Sequence, residues 1–457
     1  MKKKVLYVVH NIVSNPPFGG LEIHQDTLAK NIAEEYEVYF LYSVENPEKK
    51  GRIFIFSDSE YNKIDSCVGQ RNNYADYLTD RQVEKWFAQV LYRNSIDLVH
   101  FFHFINNIPS LTFISKAMGV PYVVSIHDFY VVCRYFTLMD HRDKYCDIGL
   151  SVNQCDTCLN KRAGLPIGSQ SSRRDFYRKV LEEAHSIIYM SNSTKQKVED
   201  VYPSLVNHPY PRIHGAPLPK SKAEEYRILS ENRIQNDLLH VVVPGNMALH
   251  KGGVYLVEAI KQLRNREICF HFWGGLDKNI EKMLREVAKD RVVFHGRYDI
   301  GGLPYFKYDV SLHLSVWPET YCQTLSEAWA ARAVPICTNI GAFNDRVTHG
   351  VNGFLVDYQK PESLTFILDD LAINRKKIAR VKAMIDDSLF LNQTQHANMY
   401  KEVYSQLVTD CKPIGFYNFN TKRDLGLYEL HFYTRRTTWH HVGIKHPEDT
   451  LIIPDID

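Results

Sequence analysis

No stretch of the 457 residues reaches the roughly 18 uninterrupted apolar positions that a membrane-spanning helix needs, so the chain is expected to be soluble or at most peripheral. Charge of one sign is missing too. The 55 Lys and Arg stand against 53 Asp and Glu, a net +2, which excludes wholesale coating of nucleic acid and leaves any anionic partner to a local patch. After Met1-Lys2-Lys3-Lys4 the apolar run Val5–Val9 ends at His10 and Asn11, too short for the core of an export signal. With nine cysteines, an odd number, the chain is expected in a reducing cytoplasm rather than held by a disulfide framework. Short-period repeats and low-complexity tracts are also lacking. What is present is a chain long enough for two or three domains, with 44% hydrophobic residues to build their cores.

Short β-branched runs alternate with helical stretches: Val5–Val9, Val38–Tyr42, Leu98–Phe102, Tyr122–Ile126 and Ile187–Tyr189. Continuous apolar runs between helices are the pattern of parallel strands buried on both faces. The rhythm pauses across Pro203, Pro209, Pro211, Pro217 and Pro219 and the charged stretch Lys220 to Asn236, read as the linker zone. It resumes with His240–Val243, Ile268–Trp273, Val292–Phe294, Val310–Leu314, Val334–Cys337 and Phe354–Val356. The expected organisation is α/β: a first Rossmann-like domain over 1–215, a linker over 216–238, a second over 239–390, one helix over 391–408 and an unassigned tail over 409–457.

Chemistry concentrates where strands turn into helices. Pro318-Glu319-Thr320-Tyr321-Cys322-Gln323-Thr324-Leu325-Ser326-Glu327 follows the run Val310–Leu314. A helix beginning near Thr320 would set the two carboxylates about 10 Å apart, with unpaired N–H groups of its first turn between them. Such a start can hold a diphosphate while the carboxylates accept from sugar hydroxyls. A capping Glu and an unrelated solvent-facing Glu are the plainer alternative.

The spacing Glu319-x7-Glu327, followed by Ala331-Arg332-Ala333-Val334-Pro335-Ile336, Gly341 and Gly350-Val351-Asn352-Gly353-Phe354-Leu355-Val356, resembles retaining glycosyltransferase family four, and the resemblance covers roughly residues 4–408. It implies a GT-B fold, two Rossmann-like domains facing a cleft with the C-terminal helix returning to the first. It implies that Glu327 binds the donor ribose and Glu319 the donor sugar, and that catalysis needs no metal or other cofactor. A UDP-, GDP- or dTDP-sugar donor is expected, with a glycan or lipid-linked acceptor of the kind used for cell-surface polysaccharides.

A second match is Pro244-Gly245-Asn246-Met247-Ala248-Leu249-His250-Lys251-Gly252, where Lys251 can neutralise a leaving diphosphate. Where the family commonly has Arg after the Gly, this chain has Asn246; Arg297 in the turn after another strand is the candidate replacement, a plain surface arginine the alternative. Gly19 and Gly20 resemble the family's glycine loop beneath the diphosphate. His127, in Ser125-Ile126-His127-Asp128, resembles its histidine near the donor sugar, the alternative being a packed histidine bonded to Asp128. His214 is expected to be structural. Trp317-Pro318-Glu319-Thr320-Tyr321-Cys322 departs from the Gly-Phe-Gly form common after the first Glu, so donor identity does not transfer from relatives. The rivals are a non-catalytic GT-B binding or scaffolding subunit, for which Asn246 would be the mark, and another GT-B enzyme such as a sugar-nucleotide epimerase.

Cys133-x12-Cys146-x8-Cys155-x2-Cys158 gathers four of the nine cysteines in one stretch. Four thiolates can close a tetrahedral structural zinc site; reduced, unliganded thiols are the alternative. Lys161, Arg162, Arg173, Arg174, Arg178 and Lys179, with only Asp175 against them, can touch anionic lipid headgroups or simply stay solvated.

Overall fold

The computed structural model describes residues 2–75, 77–147, 151–218, 237–298 and 302–410, so most of the expected linker and the tail over 411–457 lie outside the described residues. The first sheet is built from β1 (Lys3–Val8), β2 (Tyr36–Val44), β3 (Ile53–Ser57), β4 (Lys63–Val68), β5 (Leu98–Phe101), β6 (Tyr122–Ile126), β7 (Ser186–Tyr189) and β8 (Pro211–Ile213). Its strand order is β4-β3-β2-β1-β5-β6-β7-β8. Val5 pairs in parallel with Val38 on one side and Leu98 on the other; β3 alone among these strands runs the opposite way, antiparallel to both β2 and β4. The second sheet holds β9 (Leu239–Pro244), β10 (Ile268–Trp273), β11 (Val292–Gly296), β12 (Val310–His313), β13 (Val334–Thr338) and β14 (Phe354–Val356). It is wholly parallel, in the order β11-β10-β9-β12-β13-β14.

The unbroken apolar character of β1 follows from burial on both faces. Leu6 and Val8 join a core with Val99, Phe101 and Val124. Val5 and Tyr7 face the other way, into a layer shared with Phe40, Phe102 and the helix Gln393–Asp410. That helix contributes Ala397, Tyr400, Val403, Tyr404 and Leu407, a stripe at helical spacing, and lies on the helix Gly20–Ile32 of the first domain. His100, buried on β5, bridges the two parts: Nδ1 meets the Tyr404 hydroxyl at 2.6 Å and Nε2 the Ser125 hydroxyl at 2.7 Å. The chain therefore crosses to the second domain and comes back, and the fold is GT-B, two parallel-sheet α/β domains.

Three strands differ from the sequence expectation. β3 and β4 extend the first sheet beyond β2 as an antiparallel pair with a charged, exposed outer strand. β8 lies inside the proline-rich zone read as linker: Pro211 opens it at an edge, where a missing N–H costs no ladder bond, and Pro203 starts a 3₁₀ turn, Pro203–Asn207. In both sheets the order reverses beside the first strand, between β1 and β5 and between β9 and β12. Open parallel sheets present their ligand crevice at such a point, beyond the carboxyl ends of the strands.

Candidate active site

One wall of the cleft grows from the end of β1. Gly19 caps the helix Gly20–Ile32, and its N–H donates to Glu22 Oε2 at 2.8 Å while His10 Nε2 meets the other oxygen of Glu22 at 2.9 Å. Burial alone would raise the Glu22 carboxyl, but the bond and charge of His10 and the Gly19 N–H bring it below its ordinary value. Gly20 lies under Gln323 of the second domain: a Cβ there would meet the end of that flexible side chain, Oε1, at 2.6 Å, and Gln323 Nε2 donates to the Gly20 carbonyl at 3.3 Å.

The opposite wall is organised around Glu319. Lys251 and Glu319 form an ion pair, Ser315 donates to the same carboxylate oxygen, and Trp317 Nε1 donates to it at 3.1 Å. Lys251 Nζ also stands 5.4 Å from the centre of the Trp317 ring. Burial pulls the Lys251 ammonium down, and the Glu319 charge and hydrogen bond more than reverse this, so its pKa lies above the ordinary lysine value. Lys251 reaches this position from the turn before the helix Gly253–Gln262, where Gly252 sits at φ +81°.

The helix expected near Thr320 begins at Gln323 instead: it runs Gln323–Ala330, with Cys322 before it at φ +70°. The axial spacing of Glu319 and Glu327 therefore cannot be read as an unbroken run of helical steps, and the first-turn N–H groups belong to Gln323 and Thr324. Arg346 causes the delay. Its guanidinium donates to the Tyr321 carbonyl at 2.6 Å, the Cys322 carbonyl at 3.0 Å and Ser326 Oγ at 2.6 Å, and its centre lies 3.9 Å from the Tyr321 ring centroid. Thr320 turns away to donate to the His127 carbonyl at 2.6 Å, tying the domains together. Tyr321 packs against Gly215, where a Cβ would meet its ring at 2.4 Å, and Cys322 Sγ faces Thr324 Oγ1 at 3.2 Å.

Between the walls lies a cleft of about 430 Å³. Gly19, Gly20, Gly245, Asn246, Arg297, Gln323 and Glu327 line it together, drawn from the ends of β1, β9 and β11 and the start of the helix Gln323–Ala330. Lys251, Glu319, Thr320, Tyr321, Cys322 and His127 are not among its lining residues. Asn246 serves the turn, its Oδ1 accepting from the Gly275 N–H at 2.8 Å, while Arg297 is the exposed cation at the cleft.

His127 leaves the end of β6 with its ring 5.1 Å from His24 and 5.8 Å from Phe102, and its Nε2 has no hydrogen-bond partner among the described residues. It is not bonded to Asp128, which instead takes His103 Nε2 at 2.7 Å. Burial, then the neighbouring imidazoles His24, His103, His100 and His10, push His127 well below the ordinary histidine value, so the ring is neutral at pH 7. His214 is buried against Tyr400, as a structural residue would be.

Sequence reading missed Arg346, Ser315 and the histidines around His127, because none carries a local signal; each acts on residues distant in the chain. The four clustered cysteines line a separate cavity of about 480 Å³ in the first domain. Much of the basic stretch beside them is engaged within the domain. Arg173 is buried between Tyr130 and Tyr177, and Arg178 and Lys179 pair with Glu182 and Glu183.

Similar proteins bear on this geometry. A model of Glycosyltransferase Family 4 matches residues 18–207, and a model of Glycosyl transferases group 1 matches residues 239–373. No curated protein matches the chain. Among solved structures, Anabaena HepE in complex with UDP aligns with TM-score 0.58 at 14% identity, covering 88% of this chain and 100% of its own. Sucrose-phosphate synthase from Thermosynechococcus elongatus aligns at 0.61 and 16%, covering 90% and 100%. A glycosyltransferase from Rickettsia africae aligns at 0.62 and 16%, covering 90% and 99%. These likenesses show the fold, and with one family match on each domain the chain is a glycosyltransferase of the GT-B group, its first domain of the Family 4 type and its second of group 1.

Proposed function

We propose that the chain is a retaining glycosyltransferase that moves a hexose from a nucleotide-sugar donor to a glycan or lipid-linked glycan acceptor in cell-surface polysaccharide synthesis. The observation that carries this reading is the cleft in which Gly19, Gly20, Gly245, Arg297, Gln323 and Glu327 from both domains converge. In this proposal Glu327 accepts from the ribose hydroxyls, and the N–H groups of Gln323 and Thr324 with Arg297 hold the diphosphate. Lys251, now paired with Glu319, exchanges part of that partnership for the departing phosphate, which gathers negative charge as the glycosidic bond breaks. Glu319, fixed by Ser315 and Trp317, orients the sugar, and neutral His127 offers its unpartnered Nε2 to a sugar hydroxyl.

The acceptor hydroxyl attacks the anomeric carbon on the face the nucleotide leaves. Its proton passes to the departing phosphate, so the protein supplies position and charge rather than a base. HepE has been solved with UDP, with UDP and glucose, and with UDP-glucose, which makes UDP-glucose the first donor to test. A lipid-linked acceptor would place the reaction at the inner face of a membrane; no helix among the described residues is long and apolar enough to cross one. The test is donor consumption and binding across UDP-, GDP-, dTDP- and ADP-sugars by wild type, Glu327→Ala and Lys251→Ala. One donor consumed or bound by wild type, and weakened in both variants, is the expected result. Wild type that binds none of them would return the chain to the role of a non-catalytic subunit.

A further inference from the structure

Between β6 and β7 the first domain makes an excursion that carries two helices, Val152–Ala163 and Ser169–Glu182. The first of these buries only Asp156 and Leu159, too little apolar surface to fix it by packing. Polar contacts hold what they can. Asp156 Oδ1 accepts from the Gln170 N–H at 2.9 Å, and Arg162 donates to the Met139 carbonyl at 2.7 Å with its guanidinium 4.2 Å from the Tyr135 ring.

Cys133, Cys146, Cys155 and Cys158 all open onto one cavity of this excursion, with Leu138, Met139 and Leu159 as its apolar lining. All four are free and partly buried. They come from three separate places: the turn after β6, the loop before residue 147 and successive turns of the helix Val152–Ala163. Arg174 Nη2 donates to Cys155 Sγ at 3.4 Å, the kind of contact that steadies a metal-bound thiolate.

We propose that this cavity is a structural zinc site whose ligands are Cys133, Cys146, Cys155 and Cys158. Binding exchanges four thiol protons for one Zn²⁺, leaving a tetrathiolate centre of net charge −2 beside the Arg174 guanidinium, with no change of oxidation state. Four protein ligands leave no position for water, so the site is structural. No three of the four sulfurs lie within 4.8 Å of one another, so binding has to draw them inward. Among the described residues the only ligand atoms within 4.8 Å of one another in a set of three are those of His240, Cys269 and His271. That set already satisfies itself by a 2.9 Å hydrogen bond between His240 Nδ1 and His271 Nε2. Zinc in the cysteine cavity would brace a wall of the interdomain cleft, because the excursion begins with Phe129, 6.5 Å from the Trp317 ring, and includes Tyr145, 6.0 Å from the Tyr358 ring of the second domain.

The test is metal content of the full chain purified without a metal-affinity tag, with expected zinc of about one equivalent per chain and loss in Cys155→Ser and Cys158→Ser but not in Cys269→Ser. Exchange of Co²⁺ into wild type is expected to give the absorption of tetrahedral thiolate coordination, which keeps the test informative if the serine variants do not fold. Removal of zinc by a chelator is expected to open the excursion to protease while the second domain keeps its secondary structure. Four alkylatable thiols with no metal, a pair of disulfides, bound iron in place of zinc, or zinc lost in Cys269→Ser and kept in Cys155→Ser would each overturn the assignment.

Discussion

Acid is expected to weaken the seat of the returning helix, and His396 measures by how much. Its ring is buried on the helix Gln393–Asp410, 4.6 Å from His24, and its Nε2 has no hydrogen-bond partner among the described residues. Burial, then the neighbouring His24 and His214, lower its pKa from 6.5 to about 2. The native state therefore refuses a proton that the unfolded chain accepts. Stability from this depressed group is fully present above the unfolded pKa and is lost as pH falls below about 6.5 toward the native value. At about 1.4 kcal/mol per pH unit, going from pH 7 to pH 5 removes roughly 2 kcal/mol through this one side chain. Glu84, raised to about 7 by burial, acts in the opposite sense, so the wild-type loss mixes terms of both signs. The informative quantity is a difference. Urea unfolding of wild type and His396→Leu at both pH values should show the variant losing about 2 kcal/mol less on acidification, as the linkage relation requires. Equal losses in the two proteins would falsify the claim that His396 stays neutral in the fold.

Arg346→Lys keeps the charge but cannot reach two carbonyls and Ser326 Oγ at once. Donor binding is expected to weaken by about 2 kcal/mol, read by titration calorimetry, with little change in acceptor KM. Lys251→Met leaves Glu319 with only Ser315 and Trp317, and turnover is expected to fall by about 100-fold or more at saturating donor; a fall confined to KM would move Lys251 from the reacting phosphate to ground-state binding. Gly252→Ala forces a Cβ to 2.0 Å from the Leu314 carbonyl oxygen at φ +81°, and thermal melting should report a loss of about 1–3 kcal/mol. A melting temperature equal to wild type would show that this turn relaxes freely.

The architecture was legible because the strands that make it are continuous apolar runs. Tyr122–Ile126, Ile268–Trp273 and Phe354–Val356 end where the sequence pattern ends, since both faces of each are covered and no alternation interrupts the run. The β3–β4 pair was missed because its outer strand, Lys63–Val68, is an exposed edge with polar residues on both faces. Glycine turns told where the chain could approach a ligand, and Gly19, Gly20 and Gly245 do meet at the cleft. The start of the helix after Glu319 was not legible, because Arg346 sets it from the far side of β13. His214 was read as structural, but the layer it forms with His24, His100 and His396 was not legible for the same reason: it assembles from four separate places in the chain.

The returning helix makes the first domain discontinuous in sequence. Tyr400 and Tyr404 complete a layer begun by Val5, Tyr7 and Phe102, so one wall of the first domain is contributed only after the second domain has been traversed. During synthesis the first sheet must wait, with an aromatic face uncovered, until nearly four hundred residues have emerged. Cutting the chain at residue 390 removes part of a core rather than an appendage. Exchanging the second domain for that of a relative requires the helix Gln393–Asp410 to stay with the half it covers, not with the half it follows.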